Sequence, residues 1–385
     1  MLARSMRRAL VLTAIGLVLA VPFVVGYKLS QRDRATVPMA IPTVVDRVRE
    51  ALAARYYRQL PKRVLRLHSV DAMISALGDP YTAYLPPSDY RLMQQETASR
   101  YSGIGVSVLP ARRGLVVAAL RPGPALRAGL RVGDTIVGIG GVPASHLDAT
   151  EAFARILGPR GTRVRLELLR SGKLLDVSVL REVVRAPVVQ ARLLTYAGKR
   201  WGDVQLSAFR VGAAQQLADR LRSLERRGAQ GFVLDLRENP GGLLNQAVGV
   251  SSLFLGRGVV VSLAGAHSPR EVYRAVAGLK TRLPLVVLVD RYSASSAEIV
   301  AAALRDHRRA TLVGERTYGK AVVQTLDPLG NGAALELTVA RYYTPSGANI
   351  SGVGLVPQVY AVDNPRTPQD EALAAALRVL ARPTR

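Results

Sequence analysis

Cysteine is absent from the chain, which excludes a disulfide scaffold, a thiolate nucleophile and any thiolate-held zinc or iron–sulfur site, and leaves the redox compartment open. Lysine is scarce. Only Lys28, Lys62, Lys173, Lys199, Lys280 and Lys320 interrupt an otherwise all-arginine set of 53 basic residues. The four histidines, His68, His146, His267 and His307, show neither metal-ligand spacing nor an HExxH pattern. Acidic residues number 28, so the formal net charge is +25, a surplus that suits anionic partners through long-range attraction. The arginines form no dense block and no nucleic-acid motif accompanies them. We read the surplus mostly as arginine-biased usage, with membrane-surface adhesion as the second reading, and expect no nucleic-acid partner.

What remains is a folded composition, 49% apolar and 21% charged over 385 residues, enough for two or three units. Arg4, Arg7 and Arg8 precede an uncharged run at 9–26, and Lys28 follows it. No A-x-A cleavage site follows that run. We therefore expect residues 1–30 to be a signal anchor or a signal peptide cleaved near Val24-Val25-Gly26, and favour the retained anchor, with the arginines in the cytoplasm. The rest of the chain would then be periplasmic or otherwise extracytoplasmic, held at the cytoplasmic membrane.

Residues 31–100 carry helical patterning at 44–67, broken at Pro61, and at 69–77, ended by Gly78-Asp79-Pro80. From 101 to 184 the pattern changes to short β-branched runs at 103–109, 115–120, 135–139, 163–169 and 174–180, punctuated by glycine and proline. Over 185–385 helical patterns (211–226, 243–254, 297–304, 370–381) alternate with apolar strands (231–236, 285–289, 310–313, 321–325), which implies a layered α/β core.

The strand at 285–289 runs into Ser293-Ala294-Ser295-Ser296-Ala297-Glu298, which opens a helix. Small side chains at such a turn admit a substrate backbone, and free amides at a helix start can stabilise an oxyanion. The same serines also suit simple helix capping. Downstream, Lys320 follows Gly319 and precedes an apolar strand. In a chain that uses arginine almost everywhere, a lysine here points to a need arginine cannot meet, namely giving up a proton to act as a base. His307 reads as a solvated helix end rather than a member of a Ser-His-Asp triad.

Several ordered motifs resemble the carboxyl-terminal processing peptidases, or tail-specific proteases. They are Asp79-Pro80-Tyr81-Thr82-Ala83-Tyr84-Leu85, Leu234-Asp235-Leu236-Arg237-Glu238-Asn239-Pro240-Gly241-Gly242, the Ser293 to Val300 stretch, Val313 to Lys320 with Gln324, and Ala340-Arg341-Tyr342-Tyr343-Thr344-Pro345-Ser346-Gly347. The resemblance implies a layered α/β protease core of the ClpP/crotonase type with an inserted PDZ domain, and a Ser-Lys dyad. It makes Ser295 the nucleophile, Lys320 the general base and Gln324 the residue that orients the lysine. The backbone amides of Gly241 and Ser296 would form the oxyanion hole, and Ser293 and Ser296 would be bystanders as side chains. Tyr292, Ala297 and Ala321 depart from the commonest family pattern, and an extra Cβ beside Lys320 restricts the backbone there.

The β-rich stretch is similar to a PDZ module, with Gly103, Ile104, Gly105 and Val106 where the carboxylate-binding loop belongs and helix 149–157 as the groove's other wall. An exposed strand edge would take an extended peptide while loop amides hold its terminal carboxylate. The implied partners are protein substrates with accessible C-termini and the membrane, with an adaptor protein and a homo-oligomer left open; no metal or organic cofactor is implied. Two rivals stand beside this reading. A P-loop NTPase would use Gly314 to Lys320, but Ala321 lacks the hydroxyl that magnesium needs. A catalytically silent PDZ scaffold would lack Ser295 or Lys320, and both are present.

Overall fold

A computed structural model describes residues 42–382, apart from 98, 99, 148, 186, 277–280, 365 and 368. The anchor or signal read at 1–30 lies outside the described residues. Within them no helix is long and apolar enough to cross a membrane. Two compact units divide at Arg47/Val48. Of the first, the described part is the entry to helix α1 (Val44–Arg55), where Thr43 Oγ1 donates to Asp46 Oδ2 at 2.7 Å.

The helical lead-in continues with α2 (Lys62–Leu65) and α3 (Val70–Leu77). Pro61 stands at the N-cap of α2, Ser69 caps α3 by accepting from Ala72 N, and Gly78 in the left-handed conformation ends it. Asp79 then folds the chain back, accepting from Tyr81 N at 3.0 Å and Thr82 Oγ1 at 2.8 Å. That turn delivers strand β1 (Ala83–Leu85), which the helical reading of this region did not foresee, followed by α4 (Pro87–Thr97).

Strands β2 (Arg100–Gly103) and β9 (Glu182–Arg185) pair antiparallel as a two-stranded ribbon. Between them lie β3 (Val106–Ala111), β4 (Gly114–Leu120), β5 (Thr135–Ile139), β6 (Val142–Pro143), β7 (Arg163–Arg170) and β8 (Lys173–Leu180), with helices α5 (Pro124–Arg127) and α6 (Ala149–Ile156). The strand expected over 103–109 is interrupted. Gly105 at φ +80° turns the chain between β2 and β3, and Ile104 drops into a core with Val117, Ile136 and Leu166. The sheet order is β3-β4-β5-β7-β8, which leaves β3 an edge strand paired only with β4 among the described residues.

The remaining chain builds the α/β core. A hairpin of β10 (Val189–Tyr196) and β11 (Lys199–Leu206) leads to α7 (Ala213–Arg226), β12 (Phe232–Asp235) and α8 (Leu244–Phe254). After β13 (Val259–Gly265) and β14 (Ser268–Arg274) come β15 (Leu285–Val289), α9 (Ser296–Asp306) and β16 (Thr311–Gly314). Then follow β17 (Val322–Pro328), β18 (Ala334–Tyr343), β19 (Val359–Tyr360) and α10 (Glu371–Ala381). The main sheet runs β10-β11-β12-β15-β16-β19, parallel from β11 onward. Both faces are covered, which explains its continuous apolar strands. Leu285, Val287 and Val289 face the cluster that includes α7, α8 and α9, whereas Val286 and Leu288 face Leu373, Ala376 and Leu380 of α10. A second sheet, β1-β18-β13-β14 with β17 on β18, supplies the strand that follows Lys320.

Candidate active site

The turns leaving the carboxyl ends of β12, β15 and β16 converge, as ligand-binding loops do in open parallel sheets. After β15, the Asp290 carboxylate accepts from Tyr292 N at 3.0 Å and Ser293 N at 2.9 Å. Ser293 is fully buried and donates from Oγ to Leu236 O at 2.8 Å, so its hydroxyl ties two strand ends together. Two residues later Ser295 sits at φ +53°, ψ −116° at the start of α9. L-residues hold that conformation only where their surroundings over-determine it, and a nucleophile presented between strand and helix is one such setting. Here the constraint is the helix behind it, buried at every residue from Ser296 to Leu304.

Glu298, one turn into that helix, is completely buried. Its carboxylate accepts from Ser295 N (2.9 Å), Thr317 Oγ1 (2.5 Å), Gly319 N (2.8 Å) and Lys320 N (2.9 Å). Burial raises its proton affinity and these donors oppose the rise. Every partner is a donor, so the geometry fits the ionised form. One carboxylate therefore fixes the backbone on both sides of the site.

Lys320 is half-buried and lines a cleft of about 430 Å3 together with Ser295. Its Nζ lies 5.0 Å from the Tyr81 ring centroid. Burial lowers its proton affinity below the usual lysine range, while the charges of Glu336 and Asp79 push the other way. Leu244, Ile299, Val322 and Leu326 make much of the cleft wall apolar. Ala321 is buried without requiring a positive φ, so its Cβ is accommodated.

Asn239, buried, donates from Nδ2 to Leu206 O at 2.7 Å and accepts the Gly241 amide at 2.9 Å. The Gly241 N–H is thereby directed into the protein, not into the cleft. The Gly242 and Ser296 amides donate to no other described residue, and Ser296 Oγ holds the two turns together by donating to Gly242 O at 2.8 Å. Gly241 remains indispensable for packing: a Cβ there would meet the Ser295 Cβ at 2.8 Å.

The profile of Peptidase family S41 matches residues 200–361, and that of a PDZ domain matches 116–170. Over 336 residues the chain is 36% identical to the carboxyl-terminal-processing protease of Synechocystis sp., covering 84% of this chain and 78% of that protein. The chain belongs to peptidase family S41. The carboxy-terminal processing protease CtpA of Bacillus subtilis is 34% identical over 321 residues, covering 82% and 68%. A solved photosystem II D1 C-terminal processing protease superposes with a TM-score of 0.56 at 28% identity, covering 88% of this chain and 97% of that one. The fold expected from the motifs, an α/β protease core with a PDZ unit and N-terminal helices, is the one observed, and the protein is a serine-type peptidase.

In this S41 peptidase Gln324 reaches the site but makes no hydrogen bond to Lys320 among the described residues. Its Nε2 donates to Tyr81 O at 2.6 Å and Glu336 Oε1 at 2.7 Å. Glu336 was not foreseen. It lies opposite Leu326 on β18 and lines the same cleft. Burial raises its proton affinity and Lys320 lowers it. If neutral Lys320 is the base, Glu336→Gln removes a negative charge that favours the ammonium while leaving an acceptor for Gln324. The acid limb of the kcat/KM profile is then expected at lower pH than in the wild type; an unmoved limb would show that Glu336 does not act on the lysine.

The S-x-x-E spacing of Ser295 and Glu298 is a capping-box pattern that could have flagged the carboxylate. Its bonds to Thr317, Gly319 and Lys320 have no sequence signature. Both chemical rivals lose their geometry. His307 caps the opposite end of α9 and contacts Val259 O at 2.7 Å, and the residues after Lys320 form β17 rather than a helix. At the other predicted site, the Ile104 and Gly105 carbonyls accept from Ala125 N and Arg121 N at 2.9 Å each, which fixes the 103–106 loop at the head of edge strand β3.

Proposed function

We propose that the protein is an exported endopeptidase that selects substrates by their C-terminal tails and cleaves them with a Ser295–Lys320 dyad. The observation that carries this reading is the pairing of a conformationally forced serine with a half-buried lysine in one cleft, their backbones joined through Glu298. Neutral Lys320 takes the Ser295 hydroxyl proton as Oγ attacks the scissile carbonyl. The Gly242 and Ser296 amides face the developing oxyanion, in place of the Gly241 amide. The lysine then passes its proton to the leaving amine, leaving an acyl-enzyme. Water, deprotonated by the same lysine, releases the product.

The unpaired edge of β3 and the 103–106 loop support capture of a free C-terminus by strand addition. The uncharged run at 9–26 behind three arginines supports export and membrane retention. The decisive experiment compares an unstructured reporter bearing an apolar C-terminal tail with the same reporter amidated at its end. Loss of charge-assisted bonds to the carboxylate is expected to lower kcat/KM by about tenfold or more. Equal rates would remove tail selection and leave the peptidase reading intact.

A further inference from the structure

At the end of the main sheet opposite Ser295, a cavity of about 570 Å3 is lined by Lys199, Arg282, Arg305, Arg308, Arg309 and Arg382, and by no carboxylate among the described residues. Its position follows from the topology. Leu285 and Thr311, the first residues of β15 and β16, form part of its wall, whereas the other ends of those strands lead to Ser295 and Lys320. Helix α9, of 11 residues, separates the two sites by roughly 16 Å along its axis.

Two local explanations for the cations are insufficient. The carboxyl end of α9 carries only about half a negative charge, which one arginine neutralises. Asp306 pairs with Arg305 at 2.8 Å, which accounts for one more. Arg309 is the informative residue. It is half-buried, and its guanidinium donates only to backbone carbonyls, those of Phe254 (3.1 Å), Thr281 (3.3 Å) and Leu283 (2.7 Å). Burial lowers its proton affinity without any carboxylate to offset it. The three carbonyls offset part of the cost of that partial burial, and none of the described residues adds an anion.

We propose that this cavity binds phosphate groups, presented by a membrane lipid headgroup or by a soluble phosphate. Several arginines lining one cavity match the charge and, through their forked donors, the oxygen geometry of phosphate better than those of a lone carboxylate. The site is independent of the peptidase cleft.

Trp201 supplies the readout, since it is the one tryptophan in the chain and lines this cavity. The detergent-solubilised full chain is titrated at constant ionic strength with inorganic pyrophosphate, and separately with phosphatidylcholine vesicles with and without phosphatidylglycerol. A saturable change in Trp201 fluorescence is expected. It should weaken by about tenfold or more in Arg282→Glu/Arg308→Glu, whose altered side chains are exposed, with thermal melting and peptidase activity unchanged. A response to pyrophosphate identifies soluble phosphate as a source. A response confined to anionic vesicles identifies a lipid headgroup. No saturable response, or the same response in the variant, would overturn the proposal.

Discussion

Ser295→Ala is expected to abolish reporter cleavage and Lys320→Ala to lower it by about 10² to 10⁴, the range over which a positioned general base contributes. The serine effect is larger because neither neighbouring serine can take its place. Ser293 is fully buried and bonded to Leu236, and Ser296 is turned to Gly242. A fluorophosphonate probe separates the two roles. It should label the wild type, fail on Ser295→Ala, and label Lys320→Ala slowly, at a rate that no longer rises through the pH range where the wild-type lysine loses its proton. The direction of that dependence follows from the chemistry. With Lys320 as the proposed base the neutral amine is the active form, so the rate is expected to climb with pH, and burial moves the climb below the range of an exposed lysine. Full activity in Lys320→Ala would refute the base assignment.

Glu298→Ala carries the second largest expected effect. It leaves four buried or partly buried donors, on Ser295, Thr317, Gly319 and Lys320, without their acceptor. Unsatisfied groups of this kind cost about 1–3 kcal/mol each, and partial rehydration brings the expected loss to about 3–5 kcal/mol. Calorimetry should register it as a lower Tm, and activity should fall because the strained Ser295 loses its tether. Glu298→Gln keeps the volume and one acceptor oxygen, so it should fold closer to wild type while still losing activity. If both variants cleave and melt like wild type, the carboxylate is not what joins the two halves of the site.

The parts of the fold legible in the sequence were those whose burial is uniform. Strands β12 and β15 read as apolar runs because both faces of the sheet are covered, and α9 and α10 were placed to within a residue or two. The hairpin of β10 and β11 escaped notice because its strands mix arginine and glutamine with apolar residues at the sheet edge. Its turn residues Ala197 and Gly198, both at positive φ, were the available signal. At the site, the motifs identified Ser295 and Lys320 as candidates. They could not reveal that Asn239 withdraws the Gly241 amide, or that Gln324 binds Glu336, since both depend on side-chain directions set by tertiary packing.

The ribbon of β2 and β9 has an architectural consequence. Gly103 and Glu182 sit directly across from each other, so the whole intervening β-rich segment leaves and rejoins the chain at a single point. To the rest of the protein it is topologically the tip of one long hairpin. A segment attached in that way is portable: it could be exchanged for another recognition module of any size without altering a single strand crossing in the peptidase core.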